Sequence, residues 1–476
     1  MAGKISSANV HNFQRYNVDD MISDLPEGVL LHILSLLPTK DVVRTSVLAT
    51  KWRHLWTYLS VFDFKIPYPR YESNDQNQNS VNCLLDLVGR LLRKSNCVER
   101  LCIDIFEITI DADKVSSLIS SASKHKVQYL KLSLGDKIDK FVLPHCFSAV
   151  ESLNELCLGL KFTLSIPSDI CFPSLKKLVV LDVSFANEKS VQQLFSGCHV
   201  LQELTLYNCY WENIEQINVA ISTLRKLTIH FDFLCVDYDH DMTVKIDAVN
   251  LLSLSCTCRA AIKFIPVNLT SIVDAYVDLG NEDPFGDDLY VCHCIFDLLS
   301  GLSSVKSLNI RNATLKCLIF LTDDNLNLLP TFHNLTHLYV YNVTDEFNCT
   351  SQVLFDILRK TPKLKVLHIP TMVHDYLDDE DSLWNSLPFW EIQLFCCSYL
   401  SANVEKVAYI RDELQSVGPG ACVIKFFPGD NESTDDESDE DEAANSEVLP
   451  AAGFTQESSS AGSDTAASPD RSEQPQ

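Results

Sequence analysis

Cysteine, histidine and aspartate are the residues of this chain most able to do chemistry, and their spacing limits what that chemistry could be. Cys256 and Cys258, the run Cys292-His293-Cys294 and the pair Cys396-Cys397 are the tightest groupings of metal-ligand types. A structural zinc site usually needs two residues between paired cysteines, so that both sulfurs reach one ion. C-x-C and C-C do not supply that reach, and small buried thiols are the plainer reading. Asp378–Asp381 belongs to an acidic run without the Asp-x-Asp-x-Asp-Gly frame of a calcium loop. No glycine-rich elbow, phosphate loop or recognisable carboxylate pair occurs. The expectation is a chain with no catalytic residues, no bound metal and no cofactor.

What remains is recognition, and the elements that would carry it repeat. The pattern apolar-x-x-apolar-x-apolar recurs as VERLCI, VQYLKL, LNELCL, LKKLVV, LQELTL, LRKLTI, VNLLSL, IVDAYV, VKSLNI, LTHLYV and LKVLHI. Its fourth position falls at Leu101, Leu130, Leu156, Leu178, Leu204, Leu227, Leu252, Ala275, Leu308, Leu338 and Leu367. The steps bracket the leucine-rich-repeat period of roughly 20–29 residues, with insertions. The last three positions of each copy read as a short strand whose side chains alternate. Leu204 and Leu206 then point into the array, while Thr205 and Tyr207 point out. Between strands, SVQQLFSGCHV (Ser190–Val200) places Val191, Leu194 and Phe195 at helical spacing. Strands inside and helices outside make a curved α/β solenoid whose copies support one another. Eleven strands at about 4.8 Å make an inner surface roughly 50 Å long. Outward positions beside the strand leucines line it, and the richest in rings and guanidinium are Tyr207, His230, Tyr276, Arg311, His337, Tyr339 and Tyr341. Such residues dominate binding hot spots.

Ahead of the repeats lies a short apolar block. Its first helix should begin at Pro26, where a missing N–H costs nothing, and end by Leu37 because Pro38 follows. Val29, Leu30, Ile33, Leu34, Leu36 and Leu37 cover an arc of about 160°, too wide for a helix packed on one side. Thr39 is a candidate N-cap for a second helix holding Val42, Val43 and Val47. A third places Trp52, Leu55, Trp56 and Leu59 along one face. LSVFDF already obeys the repeat pattern through Leu59, Phe62 and Phe64, so the block runs into the array without a linker. The polar stretch Pro67–Ser80 reads as a surface loop.

Charge is uneven along the 476 residues. Residues 429–476 hold 14 acidic side chains against one arginine, which accounts for −13 of the net −26. That acidic, low-hydrophobicity tail is expected to be disordered. Ser433 and Ser438 in it each precede an acidic residue by three positions, a setting suited to acid-directed kinases. The rest of the chain is also acidic, which argues against nucleic-acid binding. There is no signal-peptide pattern and no apolar run of about 18 residues, so neither secretion nor a membrane is expected. The compartment implied is cytoplasm, nucleus or both, and the 18 cysteines read as thiols.

DMISDLPEGVLLHILSLLPTKDVVRTSVLATKWRHLWTYLSVFDF (Asp19–Phe64) resembles the F-box of plant-type F-box/leucine-rich-repeat proteins. The match runs through Ile22, Ser23, Leu25, Pro26, Ile33, Leu34, Pro38, Thr39, Thr45, Leu48, Trp52, Arg53, Leu55 and Trp56, and the likeness continues to about residue 370. The resemblance implies docking to a Skp-type adaptor, and through it to a cullin and a RING subunit. Carried over, the docking residues are Leu25, Pro26, Ile33, Leu36, Leu37, Val47, Leu48 and Trp52. Many such proteins carry a C-terminal FBD module, from which residues 371–428 depart. The implied organisation is a disordered N-terminus (1–18), a three-helix F-box (19–64), the solenoid (65–370), an irregular C-terminal cap (371–428) and the acidic tail (429–476). The implied function is that of a non-catalytic substrate receptor of an E3 ubiquitin ligase. The alternative is an adaptor-bound scaffold that delivers nothing for ubiquitylation.

Overall fold

The computed structural model describes residues 21–66, 74–105, 111–134, 140–161, 163–211, 214–231, 242–258, 262–280, 288–319, 329–341, 353–354, 356–368, 393–396 and 425–428. The expectations for 1–18, 429–476 and most of 371–428 concern residues outside those. The chain divides into Met1–Glu432 and Ser433–Gln476, and all described elements belong to the first unit.

Two short helices, α1 (Glu27–Ser35) and α2 (Thr39–Thr45), open the molecule, followed by a 3₁₀ helix at Thr50–Tyr58. The third element is thus a 3₁₀ helix, tighter than the α-helix implied by its i, i+3, i+4 spacing. It passes directly into β1 (Val61–Ile66), the first of twelve parallel strands in one sheet. Numbered through the whole chain, the others are β2 (Arg100–Ile105), β3 (Tyr129–Leu134), β5 (Glu155–Leu160), β7 (Lys177–Leu181), β9 (Glu203–Tyr207), β11 (Lys226–Phe231), β13 (Ser253–Cys258), β15 (Asp274–Leu279), β16 (Ser307–Arg311), β17 (His337–Tyr341) and β18 (Val366–His368).

Register lines up one apolar residue per strand. Phe62, Leu101, Leu130, Leu156, Leu178, Leu204, Leu227, Leu254, Ala275, Leu308 and Leu338 are successive cross-strand partners, and all are buried. At one repeat this corrects the sequence reading. Leu254, not Leu252, occupies the ladder position, and Leu252 is 40% exposed. LLSLSC, ending at Cys256, is therefore the true copy: a cysteine fills the last core position, and an extra leucine beside it supports the wrong frame. Alternation along β9 is as expected, with Leu204 and Leu206 buried and Thr205 and Tyr207 half-exposed.

The other side of the core is mixed. Helices α3 (Asn74–Lys94), α4 (Ala112–Ala122), α5 (Glu188–Ser196), α6 (Asp288–Gly301) and α7 (Asn312–Leu318) supply part of it. The sequence Asn74–Ser80, expected as loop, forms the start of α3. In α5, Val191, Leu194 and Phe195 are buried, and Asn187 caps the helix by accepting from the Ser190 backbone N–H at 2.9 Å. Elsewhere the expected outer helix is replaced by strands. β4 (Lys140–Val142), β6 (Thr163–Ser165) and β8 (Ser184–Phe185) form one small parallel sheet, and β10 (Gln216–Val219), β12 (Met242–Ile246) and β14 (Ile262–Pro266) form another. MTVKI and IKFIP alternate with period two and end on β-branched residues or proline, a pattern that favours strand over helix. Within the expected irregular cap, β19 (Gln393–Cys396) pairs in parallel with β20 (Lys425–Pro428). No described helix is long and apolar enough to cross a membrane.

Candidate functional site

The N-terminal block has a small core of its own: Leu30 and Leu34 of α1, Val42 of α2, and Trp52 and Leu55 of the 3₁₀ helix. Leu30 and Leu34 lie one turn apart on one face of α1. Further along the same apolar arc and just past the helix end, Val29, Leu36 and Leu37 are exposed and Ile33 is half-buried. Leu36 is 72% exposed, Val47 85% and Leu48 69%. Eight of the fifteen large apolar side chains exposed among the described residues fall between Met21 and Tyr58. Exposed apolar side chains this concentrated are what interaction surfaces present.

The sequence-expected docking residues separate in the structure. Leu36, Leu37, Val47 and Leu48 are exposed, Pro26 is exposed at the N-cap position of α1, and Leu25 and Ile33 are half-buried. Trp52 is different. It is buried in the block's core, and its indole Nε1 donates to Ser23 Oγ at 2.8 Å. Through that bond Trp52 holds Ser23, three residues before Pro26, in place. The Lys51 ammonium adds to this by donating to the carbonyl oxygens of Leu25, at 2.9 Å, and of Ser23. Met21, Ile22, Val29 and Tyr58 are exposed apolar residues that the docking set omits. Their apolarity was visible in the sequence, but their exposure was not.

Thr39 does not cap its helix. Pro38 takes the N-cap position, and Thr39 Oγ1 instead accepts from the backbone N–H of Asp63 in β1. Trp56 and Leu59 pack against both the block's core and the main core.

The second surface is the sheet face opposite the core. The expected inner-face residues gather into two groups. Tyr207 and His230 are cross-strand partners on β9 and β11, stacked at 4.4 Å with planes 6° apart. The larger group spans β15 to β18. Tyr276, Asn309, Tyr339 and His368 are successive partners, and Arg311 pairs with Tyr341. Tyr339 lies 6.4 Å from both His337 and Tyr341. His368, absent from the sequence set, sits 5.4 Å from Tyr339 and 6.2 Å from Tyr341. Its strand holds a lone imidazole at the end of the array, and only the register brings it to the tyrosines.

Electrostatically this group is quiet. The Arg311 guanidinium meets Asp278 Oδ2 at 3.2 Å, and Asp278 is buried. Burial pushes His368 down to about 4, and burial together with Lys365 holds His337 below the ordinary imidazole range, so both are neutral at neutral pH. Burial raises the Tyr341 phenol, with Tyr339 adding to it. At the other end of the sheet, Lys131 Nζ meets the buried Asp104 at 2.9 Å, and Arg100 lies over the Tyr129 ring at 3.7 Å.

Four of the cysteines singled out earlier are buried. Cys256 and Cys258 occupy inward positions of β13, Cys292 and Cys294 are buried in α6, and desolvation raises the Cys256 thiol well above its ordinary value. Among the described residues, no three His, Cys, Asp or Glu side chains are placed to hold a metal ion. Cys397 lies outside the described residues.

Comparison with known proteins decides the family. The F-box domain family matches residues 22–64, and the family described as "FBD-associated F-box protein At5g56370, LRR repeats" matches residues 115–269. A putative F-box/FBD/LRR-repeat protein of Arabidopsis thaliana is 32% identical over 329 residues, covering 67% of this chain and 68% of the relative. The chain belongs to the plant-type F-box/leucine-rich-repeat family. An FBD-associated F-box protein of the same plant is 30% identical, over 79% of this chain and 83% of its own length. An F-box/LRR-repeat protein is 29% identical over 86% and 85%. The matched F-box covers α1, α2, the 3₁₀ helix and most of β1, so in this family member the domain's C-terminal end is also the first strand of the repeat sheet. Neither matched module is a catalytic domain.

Proposed function

We propose that this chain is the substrate-recognition subunit of a Skp–cullin–F-box E3 ubiquitin ligase, binding a Skp-type adaptor through the F-box and a target protein through the open face of the repeat sheet. The observation that carries the reading is the exposed apolar face of the F-box, where Leu36, Val47 and Leu48 are left largely uncovered while Leu30 and Leu34 fill the core. An adaptor that buries those side chains gains apolar area at about 25 cal/mol per Å². The continuous junction between F-box and β1 then fixes the target-bearing sheet relative to the adaptor. Holding a target near a charged conjugating enzyme makes transfer effectively intramolecular, and the chain itself needs no catalytic group. The working compartment under this proposal is the cytoplasm, the nucleus or both.

The test is reconstitution. Tagged full-length chain is mixed with a Skp-type adaptor, then with cullin and RING subunits. Co-elution of all four supports the ligase receptor. Adaptor binding without cullin recruitment would favour a scaffold outside the ligase, and no adaptor binding would refute both readings.

A further inference from the structure

Near the end of the sheet, the face opposite the core carries a comb of rings. His337, Tyr339 and Tyr341 alternate along β17, with 6.4 Å between successive centroids and planes within 10° and 14° of parallel. His368 stands along one flank, turned 73° and 61° to the two tyrosines. On the other flank, register sets Asn309 beside Tyr339 and Arg311 beside Tyr341.

Two properties of this comb restrict what it can hold. The first is its charge. The one guanidinium among these residues is engaged by buried Asp278, so a phosphate or carboxylate would have to compete with an existing ion pair. Both imidazoles are neutral at neutral pH, and the rest are phenols and an amide. The second is its spacing. In an extended strand, residues i and i+2 lie about 6.6–6.8 Å apart on the same side. A polyproline helix returns to one side only after three residues, about 9.3 Å, and an α-helix after about 5.4 Å. The 6.4 Å step fits the strand best.

We infer that the comb on β17 seats an extended, uncharged segment of the target running along the strand direction, with apolar side chains at alternate positions resting in the notches between rings. The inference builds on the receptor reading and goes beyond it by naming the class of segment recognised. Ring faces and edges supply apolar contact at little entropic cost, because the rings already pack against one another.

The test uses the full-length chain bound to its adaptor and a synthetic dodecapeptide library permuting apolar residues, serine, lysine, glutamate and phosphoserine. Selected peptides should carry apolar residues at i, i+2 and i+4 and be depleted of every charge. Shuffling a selected peptide at constant composition should weaken binding at least about tenfold, and Tyr339→Ala with Tyr341→Ala should do the same. Tyr339→Phe with Tyr341→Phe keeps the rings and should retain selection. Enrichment of phosphoserine or lysine, absence of a period-two pattern, or indifference to the alanine pair would overturn the inference. Adaptor binding is read on the same samples: if it persists while selection fails, only this inference falls, whereas its absence in the wild type removes the receptor reading.

Discussion

Thr39 Oγ1 accepts a 2.8 Å hydrogen bond from the backbone N–H of Asp63, across 24 residues of chain. Asp63 lies on β1, an edge strand of the twelve-stranded sheet, which among the described residues pairs with β2 alone. An edge strand leaves half its backbone groups unpaired. Here the F-box covers that edge and satisfies one of them with a buried side chain. Thr39→Val keeps the shape and removes the acceptor. The bond is only part-buried, so its loss should cost about 0.5–1.5 kcal/mol, and denaturant unfolding should show a loss in that range. Adaptor binding by the folded variant should be unchanged, since Thr39 is not on the exposed face.

The F-box substitutions should divide by burial. Val47→Ala with Leu48→Ala should leave stability within about 0.5 kcal/mol, as for exposed sites generally, yet weaken the adaptor complex. Leu25→Ala with Pro26→Ala should cost about 2 kcal/mol of adaptor affinity, roughly thirtyfold, if they are central anchors. Leu34→Ala should instead destabilise the fold by about 2–5 kcal/mol. Quantitative pull-down alongside circular dichroism separates the two classes, and equal effects on both readouts would contradict the assignment.

The register at β13 can be checked with one pair of variants. Leu254→Ala empties a ladder position and should cost about 2–5 kcal/mol. Leu252→Ala removes a partly exposed side chain and should cost under about 1 kcal/mol. Reversal of that order in urea melts would restore the frame suggested by VNLLSL.

His368 makes stability depend on pH in a defined window. Its folded value, about 4, lies below the ordinary 6.5, so the unfolded chain takes up the proton first. Stability should be level above pH 6.5 and fall as pH drops from there toward 4. In His368→Gln the decline over that window should be shallower, with the remainder coming from His337, which is shifted the same way. Parallel denaturant titrations from pH 7.5 to 4.5 give the comparison, and identical slopes would mean that His368 is not desolvated.

Gly301, the last residue of α6, lies against Pro266, the last residue of β14. A Cβ there would lie 2.0 Å from Pro266 Cγ and 2.5 Å from Pro266 Cβ. The ring cannot swing aside as a long side chain could. Gly301→Ala should therefore destabilise by about 1–3 kcal/mol despite alanine's better helix propensity. An unchanged or raised thermal midpoint would show that the helix can shift freely.

Periodicity revealed the repeat, because a strand face buried in every copy must be apolar at fixed offsets whatever surrounds it. The run of the helical block into the first strand was legible in the same way, from LSVFDF, whereas the F-box itself was read from its resemblance to a known family. Local pattern failed where two solutions shared one composition. LLSL supports two frames, and only pairing with Leu227 and Ala275 selects Leu254. Thr39 suits a helix cap, but Pro38 serves there and the hydroxyl is recruited by a strand 24 residues away. Trp52 sits in the resemblance beside exposed leucines, and packing turned it inward onto Ser23. On the sheet face opposite the core, period two places Tyr339, Tyr341 and His368 outward, but it shows neither the contact of His368 with the two tyrosines nor the Asp278 that occupies Arg311. Alternation tells which side of a sheet a residue faces; which rings touch, and which charges cancel, depends on neighbours about 20–35 residues away that meet only through tertiary register.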